Sequence, residues 1–152
     1  MLRRVMRFFE TVHAVYFDDL DAFQILHNAR YVLLFERTIG AFLRTLAPTG
    51  TLTPETHPDH FHLVRANHVE YIRPVQGTGQ LRVRVWVEKL GTTSLTFGFR
   101  ALPLDEDVDY ATGTRVVVKI DPVSRKPQPW SEGFKKLIEP YRHDLGLKPP
   151  GP

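Results

Sequence analysis

Three aspartates and a histidine–asparagine pair lie just before the longest apolar helical pattern of the chain. Asp18, Asp19 and Asp21 end a strand-like run, and His27 and Asn28 follow in a short loop. The first backbone N–H groups of a helix lack partners inside the helix, so they can bind a developing oxyanion. A carboxylate held beside them could attack a carbonyl carbon or deprotonate water. Acyl transfer is therefore the first hypothesis for the chemistry of this protein.

Asp21 is the carboxylate that we favour for this chemistry, as a nucleophile or as a general base. Its alternative role is structural, with the side chain capping a turn or the start of the helix. Asn28 could direct its amide or its backbone N–H at a carbonyl oxygen, and it is also a suitable N-cap. Asp18 and Asp19 are expected to be solvated or structural. His27 is either a substrate contact or an ordinary surface histidine.

Other polar groups fit catalysis less well. Glu36 lies at the edge of the apolar helix face, where a carboxylate needs a partner. We expect a structural hydrogen bond or ion pair there, with a catalytic acid as the alternative. His57, His60 and His62 are close in sequence but lack helical metal-ligand spacing, and the chain has no cysteine. We therefore expect no metal site and no cofactor.

The elements that position these residues follow from hydrophobic periodicity. A helix is predicted from Asn28 to Leu46, and a short second helix from Trp130 to Tyr141 with Ser131 as its N-cap. The apolar stripe of the first helix consists of Val32, Phe35, Ile39, Phe42, Leu43 and Leu46. Strands are predicted at Phe8–Phe17, His62–Pro74, Gln80–Lys89, Thr93–Ala101 and Tyr110–Ile120. This order predicts an α+β domain in which an antiparallel sheet covers the long helix.

The composition is typical of one globular domain. Of the 152 residues, 42% are apolar and 24% are charged, so we expect a single domain with its core at about 8–138 and a frayed tail at 148–152. The net charge of +3 is spread along the chain, which predicts no nucleic-acid partner. No segment reaches the ~20 apolar residues of a membrane span. Because Glu10 and His13 interrupt the apolar run near the start, we expect no signal peptide and a cytoplasmic location.

The segment around Asp21 resembles the 4-hydroxybenzoyl-CoA thioesterase group of the hot-dog fold superfamily. Members commonly have an Asp-x-Asp-Ala motif, then an Asn or His, a Tyr and a Phe-Glu-Arg sequence. The matching residues here are Asp19, Asp21, Ala22, Asn28, Ala29, Tyr31, Phe35, Glu36 and Arg37. Later matches are Glu70, Tyr71, Arg73, Pro74, Gly91, Thr93, Ser94, Ala111, Gly113, Asp121, Arg125, Lys126 and Pro127. The chain departs from the pattern at Gln24, where the family commonly has glycine.

This resemblance implies a five-stranded antiparallel sheet wrapped around one long central helix. It implies that two chains pair edge to edge in a homodimer or homotetramer, with active sites at the subunit interface. The implied substrate is an acyl-CoA thioester, hydrolysed to a free acid and coenzyme A. Asp21 would be the catalytic carboxylate, and the helix start near Asn28 would polarise the thioester carbonyl.

Further residues are expected to contact such a substrate. Those predicted to bind the acyl group or the leaving thiol are Phe23, His27, Tyr31, Thr93 and Ser94. One or two basic residues near strand ends could hold the coenzyme A phosphates, because arginine forms bidentate pairs with phosphate. The candidates, among which the sequence does not choose, are Arg73, Arg82, Arg84 and Lys89.

Three alternatives to a coenzyme A thioesterase stay open. A thioester of acyl carrier protein is a close variant of the same substrate. A hot-dog domain could also bind acyl-CoA or a protein without hydrolysing anything, because a fold does not fix a function. A dehydratase of the same fold would need a catalytic His–Asp pair on the helix and its loop, which His27 fits poorly.

Overall fold

The computed structural model describes residues 6–47 and 53–144, so the predicted tail at 148–152 lies outside the described residues. The strands are β1 (Phe9–Val15), β2 (His62–Tyr71), β3 (Gly79–Leu90), β4 (Ser94–Leu102) and β5 (Ala111–Lys119). The α-helices are α1 (Asn28–Leu46) and α2 (Glu132–Ile138), with 3₁₀ turns at Phe17–Asp19, Pro58–His60 and Glu139–Tyr141. Every predicted strand and helix is therefore present, with ends shifted by a few residues.

The five strands form one antiparallel sheet in the order β1-β3-β4-β5-β2. The inward-facing residues of β3 and β4 are fully buried and build the core with α1. They include Leu81, Val83, Val85, Val87, Leu95, Phe97, Phe99 and Ala101. The predicted α+β architecture, a five-stranded antiparallel sheet packed on one long helix, is confirmed.

Helix α1 has the predicted bounds, but its buried face is rotated from the predicted stripe. Its buried residues are Tyr31, Leu34, Phe35, Thr38, Ile39, Phe42 and Leu43, whereas Val32 is only half buried. Phe35 stacks on Phe99 of β4, with ring centroids 4.2 Å apart. Thr38 is tolerated in the core because its hydroxyl donates to the Leu34 carbonyl at 2.9 Å and lies 2.8 Å from Nε2 of His13. Counting apolar residues alone cannot detect a threonine satisfied in this way.

Strand β1 ends at Val15, earlier than the predicted Phe17. The Tyr16 N–H donates to the Asp19 carboxylate at 2.8 Å, which closes a 3₁₀ turn and takes the chain out of the sheet. Phe17 is consequently 77% exposed. Of the two roles predicted for Asp19, solvated or structural, the structural one is thus present at the end of β1.

Candidate active site

The loop between β1 and α1 is closed by the Asp21 side chain. The main chain turns back on itself, with the Asp21 N–H donating to the Ile25 carbonyl at 2.8 Å. Oδ1 of Asp21 accepts from the N–H groups of Phe23 (2.8 Å) and Ile25 (3.1 Å). Oδ2 makes no hydrogen bond with any residue that the structure describes. One carboxylate oxygen thus holds the loop, and the other has no partner in the described part of the chain.

Gln24, at the position where the resemblance predicts glycine, has a left-handed backbone conformation. Its φ is +61°, and its carbonyl accepts from the Gly77 N–H at 2.8 Å. A residue with a Cβ pays roughly 1–2 kcal/mol in this region. The loop thus has a left-handed residue without a glycine, at a cost in stability.

We expect Gln24→Gly to stabilise the protein by about 0.5 kcal/mol, because relief of the left-handed strain exceeds the extra chain entropy that glycine loses on folding. Urea denaturation gives the free energy of unfolding. Gln24→Ala is the matched control, since it also removes the exposed side chain but keeps the Cβ. Equal stabilities of the two variants would show that the backbone of this loop is not strained.

Helix α1 is capped by His27, so the prediction of Asn28 as N-cap is wrong. His27 has an extended backbone (φ −62°, ψ 135°), and its Nδ1 accepts from the Ala29 N–H at 3.1 Å. Its own N–H is fixed by the Asp19 carbonyl at 2.9 Å. Asn28 becomes the first helical residue, and its backbone N–H has no acceptor in the described part of the chain. This is the kind of unpaired donor that can stabilise an oxyanion.

Asp21 and Asn28 line the same cavity, which has a volume of about 300 Å³. The remaining lining residues are Ile25, Leu26, Tyr31, Tyr71, Ile72, Arg73 and Pro74. One wall is formed by the loop and the first turn of α1, and the opposite wall by the end of β2 and the residues after it. Asp21 and Asn28 therefore border the same, partly apolar space.

Two tyrosines connect the walls of this cavity. The Tyr71 hydroxyl donates to the Asn28 carbonyl at 3.0 Å, and its ring meets that of Tyr31 edge-on at a centroid distance of 5.2 Å. Burial, together with the neighbouring Tyr71 and Tyr110, raises the pKa of Tyr31 to about 12. The Tyr31 hydroxyl is thus protonated at neutral pH and has no partner among residues 6–47 and 53–144.

Several residues predicted to bind substrate lie away from this cavity in a single chain. Phe23 is 79% exposed, and the imidazole of His27 is engaged in capping α1. Thr93 and Ser94 lie at the opposite end of β4 from Ala101, which pairs with Ala111 beside the cavity; that separation is about 23 Å at 3.3 Å per residue. Only Tyr31 of this group lines the cavity, and the roles of the others stay predictions.

The predicted phosphate-binding residues differ in how they are engaged. Arg82 and Arg84 both bind Glu10, at 3.4 and 2.9 Å. Arg82 also donates to the carbonyls of Pro103 and Glu106, and Lys89 is exposed on β3. Only Arg73 of the four lines the cavity.

Two further carboxylates near the cavity or on α1 are paired with arginines. Glu36 forms the expected ion pair, with Arg115 at 3.4 Å, and Asp19 is 3.5 Å from Arg30. Within residues 6–47 and 53–144, no three His, Asp or Glu side chains are grouped so that they could hold a metal ion.

None of the helices in these two ranges is both long and apolar enough to span a membrane.

Comparison with known proteins agrees with this fold. The family model of the Thioesterase superfamily matches residues 23–110, beginning two residues after Asp21. The chain belongs to this superfamily. No curated protein matches it in sequence.

Solved structures with low sequence identity share the fold. A predicted thioesterase from Bacillus stearothermophilus is 19% identical, with a TM-score of 0.77 over 90% of this chain and 97% of that one. A 1,4-dihydroxy-2-naphthoyl-CoA thioesterase from Synechocystis is 13% identical, with a TM-score of 0.74 over 93% and 100%. A Staphylococcus aureus protein solved in complex with CoA is 15% identical, with a TM-score of 0.78 over the whole of both chains.

Proposed function

We propose that this protein is an acyl-CoA thioesterase that hydrolyses a thioester to a carboxylic acid and coenzyme A. The observation that carries the proposal is the shared cavity of Asp21 and Asn28, whose free carboxylate oxygen and backbone N–H both lack partners among residues 6–47 and 53–144. Membership of the Thioesterase superfamily and the structural similarity to thioesterases support it. A thioester of acyl carrier protein is the close variant of this substrate.

The proposed chemistry uses the two groups in sequence. Oδ2 of Asp21 takes a proton from water, and the water oxygen bonds to the thioester carbon while the carbonyl oxygen gains the negative charge. The Asn28 N–H donates to that oxygen, an interaction worth roughly 3 kcal/mol in the transition state. The C–S bond then breaks, and the proton held by Asp21 returns to the departing thiolate. Direct attack by Asp21, with an anhydride hydrolysed in a second step, is the nucleophilic version of this reaction.

The cavity is large enough for only part of an acyl-CoA molecule. A volume of about 300 Å³ is at the lower end for small-molecule sites, which suits an acyl group and its thioester but not a nucleotide as well. In the proposal, the nucleotide of coenzyme A therefore lies outside the cavity. The Staphylococcus aureus structure, a relative in fold, is a complex with CoA.

We further propose that two chains pair through β2, giving a homodimer or a homotetramer built from such dimers. Strand β2 is at one edge of the sheet, and eight of its ten residues are exposed. Apolar side chains are among them, with Leu63 55%, Val64 46% and Tyr71 51% exposed. An open edge of this length is a template for another strand, and a twofold axis would bring the same edge of a second copy to it.

Light scattering on the purified protein measures the mass of this assembly. A monomer at all concentrations would contradict the proposed dimer or tetramer.

The decisive experiment for the activity is thiol release from a panel of acyl-CoA thioesters, followed with a thiol reagent. Turnover of at least one thioester, well above the rate in buffer, is the expected result. The alternative function is acyl-CoA binding without hydrolysis, and it would show as tight binding by calorimetry with no thiol released. A cytoplasmic location stays a prediction from the sequence.

A further inference from the structure

Tyr31 is a buried residue of the cavity whose polar end has no partner. It is 3% exposed, and it lines the space that Asp21 and Asn28 share. Its ring meets that of Tyr71 edge-on at 5.2 Å and lies 6.5 Å from the ring of Phe35. The hydroxyl makes no hydrogen bond with any residue that the structure describes. A buried hydroxyl left in this state costs free energy unless something else accepts from it.

The Tyr31 hydroxyl can be reached from the cavity. In the described part of the chain, the side-chain polar atoms that are both sealed from solvent and unpartnered belong to His60, His62 and Arg73. The Tyr31 oxygen is unpartnered but is not one of these atoms, so part of it faces open space. The cavity is the space that Tyr31 lines. A molecule in the cavity can therefore accept a hydrogen bond from this hydroxyl.

The Tyr31 side chain belongs to the same end of α1 as the proposed oxyanion site. Asn28 and Tyr31 are three residues apart, so they are neighbours on the helix surface, separated by about 4.5 Å along its axis. Long side chains of a helix lean towards its N-terminus, which here is the end at Asn28. Burial raises the pKa of Tyr31 to about 12, so the hydroxyl is protonated at neutral pH and can donate.

The proposed chemistry leaves the Tyr31 hydroxyl without an acceptor. The Asn28 N–H binds the thioester carbonyl oxygen, and Oδ2 of Asp21 binds the water. A plain hydrocarbon acyl chain offers no further acceptor, so it would leave the Tyr31 donor buried and unpaired. An anionic acceptor is disfavoured, because the Asp21 carboxylate borders the same space. An uncharged oxygen on the acyl group, near the thioester, is the acceptor that fits.

We propose that Tyr31 selects acyl groups that carry an uncharged oxygen a few bonds from the thioester, as 3-hydroxyacyl and 3-oxoacyl groups do. This inference rests on the proposed thioesterase activity, and it adds the chemical class of the acyl group. The Asn28 N–H donates to the first oxygen of the substrate, and the Tyr31 hydroxyl donates to the second. The cavity volume of about 300 Å³ favours short chains.

The test compares each enantiomer of 3-hydroxybutyryl-CoA with butyryl-CoA, which has the same chain length and lacks the hydroxyl. We expect the wild type to prefer one enantiomer over butyryl-CoA in kcat/KM by about 10-fold or more, since butyryl-CoA leaves a buried donor unpaired. Tyr31→Phe keeps the ring that packs on Tyr71. It should lower kcat/KM for the hydroxylated thioester and raise it for butyryl-CoA, so that the ratio falls to about one.

Tyr141→Phe is the matched control for this variant. It also removes a tyrosine hydroxyl from a ring packed edge-on against a phenylalanine, Phe42, but Tyr141 does not line the cavity. Its ratio of the two activities should equal that of the wild type.

The ratio separates selection from other roles of Tyr31. If the hydroxyl donated to the thioester oxygen, or only supported the fold, Tyr31→Phe would lower both activities by the same factor. Such an unchanged ratio, or a wild type without preference, would overturn the inference and leave the thioesterase intact. If no thioester is hydrolysed, the proposed activity fails, and calorimetric Kd values decide the selection. Tighter binding of a hydroxylated thioester that is lost in Tyr31→Phe would uphold it, and equal Kd values would refute it.

Discussion

Replacing Asp21 with asparagine should lower kcat/KM for thioester hydrolysis about 1,000-fold, within the range for loss of a general base. The amide oxygen of asparagine can still accept from the N–H groups of Phe23 and Ile25, as Oδ1 of Asp21 does. The loop should therefore keep its shape, but an amide can neither take a proton from water nor attack a carbonyl carbon. Thiol release with saturating and limiting thioester gives the two kinetic constants.

Asp18→Asn is the control for this variant, because Asp18 is an exposed neighbour that uses only its backbone carbonyl, as an acceptor from Arg30. Its activity should equal that of the wild type. The melting temperature of Asp21→Asn should stay within a few degrees of the wild-type value. Full activity in Asp21→Asn would exclude this carboxylate from the chemistry, and the cavity would then need another catalytic group.

Replacing Lys119 with methionine should give the second large effect, a loss of stability. Lys119 is 5% exposed, and its Nζ donates to Oδ1 of Asp59 at 2.9 Å and to the Pro129 carbonyl at 3.0 Å. Asp59 in turn accepts from the backbone and hydroxyl of Ser131, the N-cap of α2. Removing one partner of a buried ion pair leaves the other charge uncompensated. We expect a loss of about 3 kcal/mol in the free energy of unfolding, measured with urea.

Lys135→Met provides the comparison, since Lys135 binds Glu132 at a similar distance of 3.0 Å but at the surface. Its loss should be under about 0.5 kcal/mol. Adding Asp59→Asn to Lys119→Met should recover part of the stability, because the uncompensated charge disappears. Similar losses in the two lysine variants would mean that burial of the Lys119 pair has no energetic consequence.

Acid should act on the same interaction. Burial raises the pKa of Asp59, but the hydrogen bonds from Ser131 and Lys119 outweigh burial and hold that pKa below its ordinary value of 3.8. A carboxyl with a depressed pKa stabilises the fold above its unfolded pKa, and this contribution is lost as the pH falls through the folded value. The stability of the wild type should therefore fall below about pH 4 more steeply than that of Lys119→Met.

The elements of this fold could be predicted because their signals are local. Alternating residues determine β3 to β5, and α1 begins and ends at the predicted Asn28 and Leu46. The exchange of Asn28 for His27 as N-cap could not be predicted from preferences alone, since asparagine is the better capping residue. His27 takes that position because the Asp19 carbonyl fixes its backbone, a contact that depends on the folded loop.

Only one wall of the cavity, the wall formed by the loop and the first turn of α1, could be predicted from the sequence. Asp21, Asn28 and Tyr31 belong to one continuous segment with a recognisable pattern, whereas Tyr71 contacts Asn28 across 43 residues of sequence. No local pattern marks the end of β2 as the second wall, although the proline after Arg73 signals that the strand stops there. The environment of Arg73 depends on Tyr110 as well. Long-range packing therefore determines the second wall of the cavity, and the local sequence determines where Asp21, Asn28 and Tyr31 lie.

The open edge of β2 has a consequence for how the purified protein would behave on dilution. If a second copy covers this edge, mass action links folding to association, and the melting temperature rises with protein concentration. The wall of the cavity formed by Tyr71 and Ile72 continues directly from that edge. Specific activity per milligram would then fall at nanomolar enzyme, and assays at a single concentration would underestimate the turnover of the assembled form.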